Sequence, residues 1–365
     1  MKGLRLAATG SLTTLFLLLV LTPAFVQAST TAYSCRATVV AVHPAARTIT
    51  VKLRSGSATI MALRGRDVTI TLSAKAAFSD ASHEVSPLTL RRLVRGAVVS
   101  LSGTVTRAHG VARAVATRVV LRRLPNGTLL WSDDFSGPAG AAPGEPWYAD
   151  TGTANSDEAE TLSASNVALD GSGHLVIVAR RTDAGYTSAE IETGAKPFWQ
   201  YGRMVARIEL PAGCGLWPAF WALGTDYDSA GYPRCGEIDM MENLGQNVRV
   251  AYGSIHGPET ASSDTFGITT AKTAASSLSS GYHLFGVNRA KNLVQITLDG
   301  VPYATYRPST LSKGEQWVFN KPFYVLLNLA VGASGSWPGT PSASTTFPAR
   351  MHVDWVRLYA WSPAS

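Results

Sequence analysis

Three carboxylates lie within six positions of one another in the stretch Gly236-Glu-Ile-Asp-Met-Met-Glu-Asn243: Glu237, Asp239 and Glu242. Apolar residues separate them, and this pattern favours a buried strand over a solvated loop. Because side chains alternate between the two faces of a strand, Glu237 and Asp239 share one face. Two carboxyl groups about 5–5.5 Å apart on one face are the arrangement that hydrolyses a glycosidic bond with retention of configuration.

Strict alternation would turn Glu242 to the opposite face of the strand. One inserted residue, a β-bulge at Met240-Met241, would return Glu242 to its partners, and bulges often occur beside active sites. The alternative is a solvated face with one acid paired to Arg234. That alternative explains acids that alternate with apolar residues, but it does not explain a third acid displaced by one position. The stretch therefore predicts a catalytic set of Glu237, Asp239 and Glu242.

The charge distribution divides the chain of 365 residues into two parts. Residues 29–124 carry 15 Lys/Arg and 3 Asp/Glu, a net charge of +12, whereas residues 125–365 carry 15 Lys/Arg and 22 Asp/Glu, a net charge of −7. Such asymmetry indicates two units with different partners. The many Gly (33) and Pro (19) residues, and the scarcity of long amphipathic patterns, predict an all-β protein.

The first 28 residues have the features of a secretory signal peptide. Lys2 and Arg5 precede an apolar run at 15–21, and the small-residue pattern Val26-Gln-Ala28 resembles a cleavage site. The run is short for a membrane span, although an uncleaved N-terminal anchor is the alternative. We therefore expect a secreted, extracellular protein with no integral membrane segment after cleavage.

The three cysteines are Cys35, Cys214 and Cys235. Export permits disulfides, and Cys214 and Cys235 are candidate partners because both flank strands near the carboxylates. Equally, Cys235 is interpreted as a small buried residue. The absence of a CxxC motif or a His cluster argues against a zinc site.

Short β-branched runs recur between turn signals over residues 29–124. This pattern predicts a small β-barrel domain, OB-like in type. One short helix is expected over 87–95, ending at Gly96. The predicted strands cover residues 37–42, 48–53, 68–72, 98–101 and 115–121.

The charge of this domain predicts attraction to an acidic cell-wall or matrix polymer. The alternative is an accessory domain that only improves solubility. Between residues 36 and 123 the only Phe, Trp or Tyr is Phe78. Because binding of single-stranded nucleic acid by such a barrel usually uses stacked aromatic rings, no nucleic-acid partner is expected.

Residues 125–365 predict a β-sandwich or jelly roll after a turn-rich link at 124–128. Residues 293–298 are followed by Asp299-Gly300, a strong hairpin signal. All nine Trp lie in this half, and Trp217 and Trp221 lie shortly before the carboxylates. Aromatic rings pack on the apolar faces of sugars, so the set predicts a saccharide cleft, although core packing explains any single Trp.

Several ordered motifs resemble glycoside hydrolase family 16, in its bacterial laminarinase-like branch. The resemblance covers about residues 131–360 and implies a jelly-roll sandwich with a concave glycan-binding face. The motifs are Trp131-Ser-Asp-Asp-Phe-Ser-Gly137, Tyr201-Gly-Arg-Met-Val-Ala-Arg-Ile-Glu-Leu-Pro211, Gly215-Leu-Trp-Pro-Ala-Phe-Trp-Ala-Leu-Gly224, Cys235-Gly-Glu-Ile-Asp-Met-Met-Glu-Asn243, Asn328-Leu-Ala-Val-Gly332 and Val353-Asp-Trp-Val-Arg-Leu-Tyr359.

The resemblance implies a role for each acid. Glu237 corresponds to the nucleophile, Glu242 to the acid/base and Asp239 to the carboxylate between them. The extra residue between Asp239 and Glu242 is typical of β-1,3-glucanases, so laminarin-type β-1,3-glucan is the expected substrate and partner. The chemistry implied needs no cofactor. The alternatives are another β-glycan (galactan, agar or mixed-linkage glucan) and a non-catalytic glucan-binding protein.

Four further residues are candidates for substrate binding: Trp217, Trp221, His256 and Trp337. His256 has a structural role as its alternative. Trp337 belongs to the loop Gly332-Ala-Ser-Gly-Ser-Trp-Pro-Gly339, which departs from the family pattern and leaves linkage preference open. The resemblance also implies a structural Ca²⁺, with Asp354 supplying a carboxylate and Gly173 a backbone carbonyl.

Overall fold

The protein is described from a computed structural model over residues 28–81, 88–90, 93–108, 111–194, 198–260 and 264–363. Apart from Ala28, the predicted signal peptide lies outside these residues and stays a prediction. Within the described ranges, no helix has both the length and the apolar character needed to cross a membrane.

The first five strands close into a barrel in the order β1-β2-β3-β5-β4, in which β3 and β5 run parallel. Each predicted strand of this part falls inside one of them. Alternation places Ala37 and Val39 in the barrel core and Arg36 outside. The elements are β1 (Ser29–His43), β2 (Thr48–Gly56), the one-turn helix α1 (Ala58–Met61), β3 (Asp67–Asp80), β4 (Val98–Ala108) and β5 (Val111–Arg123).

The helix expected over 87–95 lies partly outside the described residues. Among those that are described, Leu90 has 3-10 conformation and the Leu93 amide donates to its carbonyl at 3.3 Å. The OB-like description and the domain boundaries 29–124 and 125–365 stay predictions.

The remaining strands form two sheets. They are β6 (Leu129–Asp133), β7 (Tyr148–Ala149), β8 (Gly152–Thr153), β9 (Glu160–Leu162), β10 (Val167–Leu169), β11 (Leu175–Thr182), β12 (Gly185–Ser188), β13 (Glu190–Glu192), β14 (Gly202–Glu209), β15 (Leu216–Gly224), β16 (Glu237–Glu242), β17 (Val250–Pro258), β18 (Thr265–Thr273), β19 (His283–Ala290), β20 (Leu293–Leu298), β21 (Val301–Tyr306), β22 (Phe323–Val331) and β23 (Ala349–Tyr359). The short helices are Ala164–Asn166 and Pro308–Thr310, both 3-10, and α2 (Tyr227–Ala230).

The two sheets pack on each other as a sandwich. One has the order β21-β20-β19-β14-β23-β11-β12-β9-β8, with β10 on β11 and β6 on β23. The other has the order β18-β17-β16-β15-β22-β13-β7. A single core joins them, and it contains Met204 of the first sheet and Phe220 of the second, both fully buried. The carboxylate strand β16 lies inside the second sheet, so neighbours on both sides fix its position.

The predicted hairpin at Asp299-Gly300 is present between β20 and β21. Leu298 lies opposite Val301, so the turn has two residues. Asp299 has a φ of 50° and Gly300 a φ of 78°. Two successive residues with positive φ match the right-handed twist of a hairpin, which is why Asp-Gly is favoured there.

The end of β23 returns to the barrel. The Gly127 amide donates to the Ala360 carbonyl, and the Ala360 amide donates to the Thr128 carbonyl, each at 2.8 Å. The Ala360 side chain is fully buried in the barrel core, and Asn126 exchanges hydrogen bonds with Ser362. The link and the chain end thus form one connection between barrel and sandwich.

All three cysteines are free. Cys235 is buried beside Leu223 and Tyr324, whereas the Cys214 thiol lies 3.7 Å from the Thr340 carbonyl. The pairing of Cys214 with Cys235 is therefore wrong, and Cys235 is the small buried residue of the alternative interpretation. Proximity to the same site does not align two Cβ atoms for a disulfide.

Candidate active site

The carboxylate strand β16 contains the predicted bulge. Asp239 lies opposite Ser254 of β17, and Glu242 lies opposite Tyr252. Residues 240 and 241 therefore face a single residue of β17, Gly253. The same irregularity occurs against β15, where Trp221 pairs with Asp239. The bulge returns Glu242 to the side of its two partners, as the off-period spacing predicts.

Both methionines of the bulge are fully buried in the sandwich core. Ile238, one alternation earlier, is also fully buried. The apolar spacers therefore anchor the strand, while the three acids occupy the opposite, cleft-facing side.

Glu237 and Asp239 are hydrogen-bonded to each other. The Tyr232 hydroxyl, from the loop before β16, also hydrogen-bonds Glu237. On the other side, His256 Nε2 lies 3.1 Å from Asp239 Oδ2. The imidazole of His256 thus contacts a carboxylate of the site, and its role in substrate binding stays a prediction.

Glu242 has two side-chain donors of its own. Trp217 Nε1 donates to Oε1 at 3.0 Å, and Ser254 Oγ donates to Oε2 at 3.3 Å. Ser254 Oγ also lies 2.9 Å from Thr269 Oγ1 on β18. These contacts hold the Glu242 carboxyl group in one orientation from two neighbouring strands.

The pKa values of all three acids are raised. Burial, and then repulsion from Asp239, raises the pKa of Glu237 to about 8. Burial, and then repulsion from Glu237, raises the pKa of Glu242 to about 7, although His256 lowers it. Burial and Glu242 also raise the pKa of Asp239 well above its usual range. The three groups cannot all be ionised at neutral pH, so the set retains protons there.

Aromatic side chains form a wall beside Glu242. The Trp337 ring is 47% exposed and meets the rings of Trp217 and Tyr252 edge-on, with centroids 5.9 and 4.7 Å apart. Trp221 Nε1 donates to Asn328 Oδ1 at 3.2 Å. The structure brings Trp217, Trp221 and Trp337 to the carboxylate side of the sheet; their role in substrate binding stays a prediction.

A second acidic group lies farther along the same sheet. Glu190 of β13 is opposite Asn328, the acceptor of Trp221. Burial, together with Glu158 and Asp150, raises the pKa of Glu190 to about 9. Burial and Asp150 also raise the pKa of Glu192. The cleft side of the sheet is therefore acidic well beyond the catalytic set.

Tyr232, Ser254 and Glu190 are site residues that the sequence analysis missed. Ser254 had a signal, because it lies two positions before His256 and shares its strand face. Tyr232 also had one, as an aromatic residue shortly before the carboxylates. Glu190 had none, because only strand pairing brings β13 to this cleft.

The residues predicted to hold calcium lie apart from the acids of β16. The Asp354 carboxylate pairs with Arg207, and its other oxygen lies 4.0 Å from His174 Nε2. Next to Gly173, Asp170 pairs with His174 at 2.7 Å. Ca²⁺ takes six to eight oxygen ligands. These carboxylates already have basic partners, so the side chains as arranged do not fit a calcium ion.

A different group of possible metal ligands is formed by Glu237, Asp239 and His256, whose ligand atoms lie within 4.8 Å of one another. These are residues of the carboxylate site itself. Their hydrogen bonds to each other account for the cluster, and we assign no metal to it.

The family model for glycosyl hydrolases family 16 matches residues 151–357, which include the bulged strand and its neighbours. The chain belongs to this family. The match begins after the barrel, which lies outside it.

This family 16 enzyme resembles known glycanases in sequence. It is 32% identical over 259 residues to a beta-glucanase of Rhodothermus marinus, covering 66% of this chain and 87% of that protein. It is 31% identical over 238 residues to a keratan-sulfate endo-1,4-beta-galactosidase of Sphingobacterium multivorum, covering 63% of this chain and 54% of that protein.

A solved structure resembles the sandwich. The laminarinase catalytic domain of Thermotoga maritima MSB8 has a TM-score of 0.58 and 33% identity, covering 66% of this chain and 100% of that one. The jelly-roll class and the family resemblance are both confirmed. The protein is a glycoside hydrolase whose family chemistry needs no cofactor.

The raised pKa values predict how stability depends on pH. Between the usual value of 4.5 and about 8, the folded protein binds more protons at Glu237 than the unfolded chain does. The contribution of this group to stability is therefore complete below pH 4.5 and is lost as pH rises through 8. We expect Glu237→Gln to reduce the loss of unfolding free energy between about pH 5 and about pH 9, measured by urea denaturation.

Glu209→Gln is the matched control, because Glu209 lies on the other sheet. It should keep the pH dependence of the unmodified protein. Equal pH dependence in all three proteins would contradict the raised pKa of Glu237.

Proposed function

We propose that this enzyme is secreted and cleaves β-1,3-glucan with retention of configuration, Glu237 acting as nucleophile and Glu242 as acid/base. The observation that supports this most directly is the bulge of β16, which gathers three interacting carboxyl groups beside an aromatic wall. The inserted residue and the laminarinase neighbours support the linkage.

The first step needs an ionised Glu237 and a protonated Glu242. The Glu242 proton moves to the glycosidic oxygen as that bond breaks, while a Glu237 oxygen bonds the anomeric carbon. In the second step Glu242 takes a proton from water, and the water oxygen displaces Glu237 from the sugar. Trp217 and Ser254 keep the Glu242 carboxyl group aligned for both transfers.

Asp239 reconciles this scheme with the raised pKa of Glu237. Two hydrogen-bonded carboxyl groups in a buried site share one proton, because both cannot ionise cheaply. When the shared proton is on Asp239, Glu237 is free to attack. Asp239 therefore serves as the proton partner that keeps the nucleophile ionised.

The acidic cleft favours an uncharged glycan. Glu158 and Glu192, where ionised, would repel the sulfate or carboxylate groups of an anionic chain, whereas Glu190, with a pKa of about 9, is protonated at neutral pH and adds no charge. Neutral β-1,3-glucan meets no such repulsion. The keratan-sulfate relative, in contrast, is named for an anionic substrate.

Replacing either glutamate should abolish hydrolysis without unfolding the protein. We expect Glu237→Gln and Glu242→Gln to lower kcat by at least about 10²-fold, because each removes a proton-transfer or bond-forming group. Laminarin hydrolysis is the assay, and Glu209→Gln is the control. A variant that hydrolyses laminarin at a near-normal rate would show that its glutamate has no part in the mechanism.

The stereochemistry of the reaction is tested on the unmodified enzyme. NMR of the first product should show the β-anomer, and an inverted product would exclude double displacement.

A substrate panel tests the glycan assignment. Reducing ends should appear from laminarin, and much less from agar, galactan or keratan sulfate. The inserted residue of β16 and the laminarinase relative favour a β-1,3-glucan, and carboxyl groups on the cleft side disfavour the sulfate groups of keratan sulfate. Release from mixed-linkage glucan measures how strictly the Trp337 loop selects the linkage. Cleavage of another glycan without cleavage of laminarin would replace the substrate and keep the mechanism. Binding without cleavage of any glycan would favour a non-catalytic glucan-binding protein.

We propose that ion pairs, rather than calcium, satisfy Asp354. The Arg207 guanidinium already neutralises its carboxylate, so Ca²⁺ would have to displace an existing partner. The melting temperature should therefore be the same in EDTA and in excess Ca²⁺, measured by calorimetry. If excess Ca²⁺ raised the melting temperature, and Asp354→Asn abolished that increase, Asp354 would be a calcium ligand after all.

The basic barrel gives the enzyme a second partner in this proposal, an acidic cell-wall or matrix polymer that retains it near its substrate. The charge of +12 over residues 29–124 supports the attraction.

A further inference from the structure

Cationic side chains line one outer face of the barrel, across four adjacent strands in the order β2-β1-β4-β5. They lie among hydroxyl side chains and contribute to two cavities, of about 560 and 530 Å³. We call the cations of these cavities the cationic band: Arg36, Lys52, Arg54, Arg64, Arg95, Arg118 and Arg122.

The pairing of the strands makes the band continuous. Lys52 of β2 lies opposite Thr38 of β1, and Arg36 lies opposite Ser100 of β4. Ser102, two residues farther along β4, lies opposite Arg118 of β5. Four strands spaced at about 4.8 Å give a band about 15 Å wide.

The hydroxyl groups orient the guanidinium groups. Arg122 Nε donates to Ser100 Oγ at 3.0 Å, and Arg54 Nε donates to Thr38 Oγ1. Each of these arginines keeps its remaining N–H groups for a ligand, since a guanidinium has five. Paired cations and hydroxyls suit a chain that carries both anionic groups and hydroxyls.

Among the residues that the structure describes, no ion pair neutralises the charges of the band. All ion pairs found among the described residues join side chains within the range 134–357 of the sequence. None of them includes a residue of the band. Asp80 also lines the first cavity, and it already interacts with another residue. Of the described residues that line the two cavities, it is the only acid.

We propose that the cationic band is a binding site for an acidic polysaccharide, with sulfate or carboxylate groups on the guanidinium groups and sugar hydroxyls on Ser and Thr. This locates the acidic partner of the proposed function on one face of the barrel. The described residues that line the two cavities include no Phe, Trp or Tyr. Single-stranded nucleic acid is disfavoured because its bases need such rings for stacking.

Two variants with the same change of charge test the site against general attraction. The band variant combines Arg36→Gln, Arg54→Gln, Arg118→Gln and Arg122→Gln. The control variant carries Gln at four exposed cations outside both cavities: Arg66, Lys75, Arg113 and Arg123. The probe is dextran sulfate, with uncharged dextran as its neutral counterpart, and unfolding curves confirm that both full-length variants fold.

At about 0.1 M NaCl we expect the band variant to bind dextran sulfate at least about tenfold more weakly than the unmodified protein, and the control variant within about threefold. If both variants bound dextran sulfate equally weakly, the cationic band would not be a specific site, and net charge alone would explain the binding. Tighter binding to a single-stranded DNA oligonucleotide than to dextran sulfate would overturn the ligand class.

Laminarin hydrolysis separates this proposal from the proposed function. Both variants should hydrolyse soluble laminarin at the rate of the unmodified protein, because the band lies on the barrel and the acids lie on the sandwich. Absence of hydrolysis in all three proteins would refute the glucanase proposal alone. The difference between the band variant and the control variant in binding dextran sulfate would still show whether the cationic band is a binding site.

Discussion

The repulsion between carboxyl groups that share one buried strand face constrains the whole site. Isolated ionised acids are costly to bury, and three of them together cannot all ionise at neutral pH. Neighbouring side chains, rather than solvent, stabilise the acids. His256 lies beside Asp239, and Trp217 and Ser254 donate hydrogen bonds to Glu242. The sandwich supplies the rigid strands that hold these groups at fixed distances. Proton sharing, and with it the division of roles among the acids, follows from that crowding.

The sequence contained the local part of this arrangement. The displaced position of Glu242 predicted a bulge, because side chains along a strand alternate with a period of two and one inserted residue returns Glu242 to the face of its partners. β-branched runs predicted the barrel strands, and Asp299-Gly300 predicted a hairpin through its backbone preferences. These signals are local, so they can be interpreted without knowing the tertiary structure.

The remainder depended on strand pairing. Glu190 enters the cleft because β13 pairs with β22, which is more than 130 positions later in the chain. The free thiols of Cys214 and Cys235 likewise show that the direction of a side chain depends on the tertiary structure. Such contacts arise from register between distant segments, which neither composition nor spacing encodes.

Ala360 gives the molecule a particular mechanical character. The chain leaves the barrel after β5 and comes back to it after β23, so the two parts are fastened at both ends of the sandwich. A single flexible linker would let a tethered enzyme sweep through a sphere around its anchor. Here two segments join the barrel to the sandwich, which restricts their relative motion. If the barrel holds the enzyme on a polymer as proposed, the glucan strands within reach of the cleft are restricted in the same way. The architecture of the surrounding matrix would thereby become part of its selectivity.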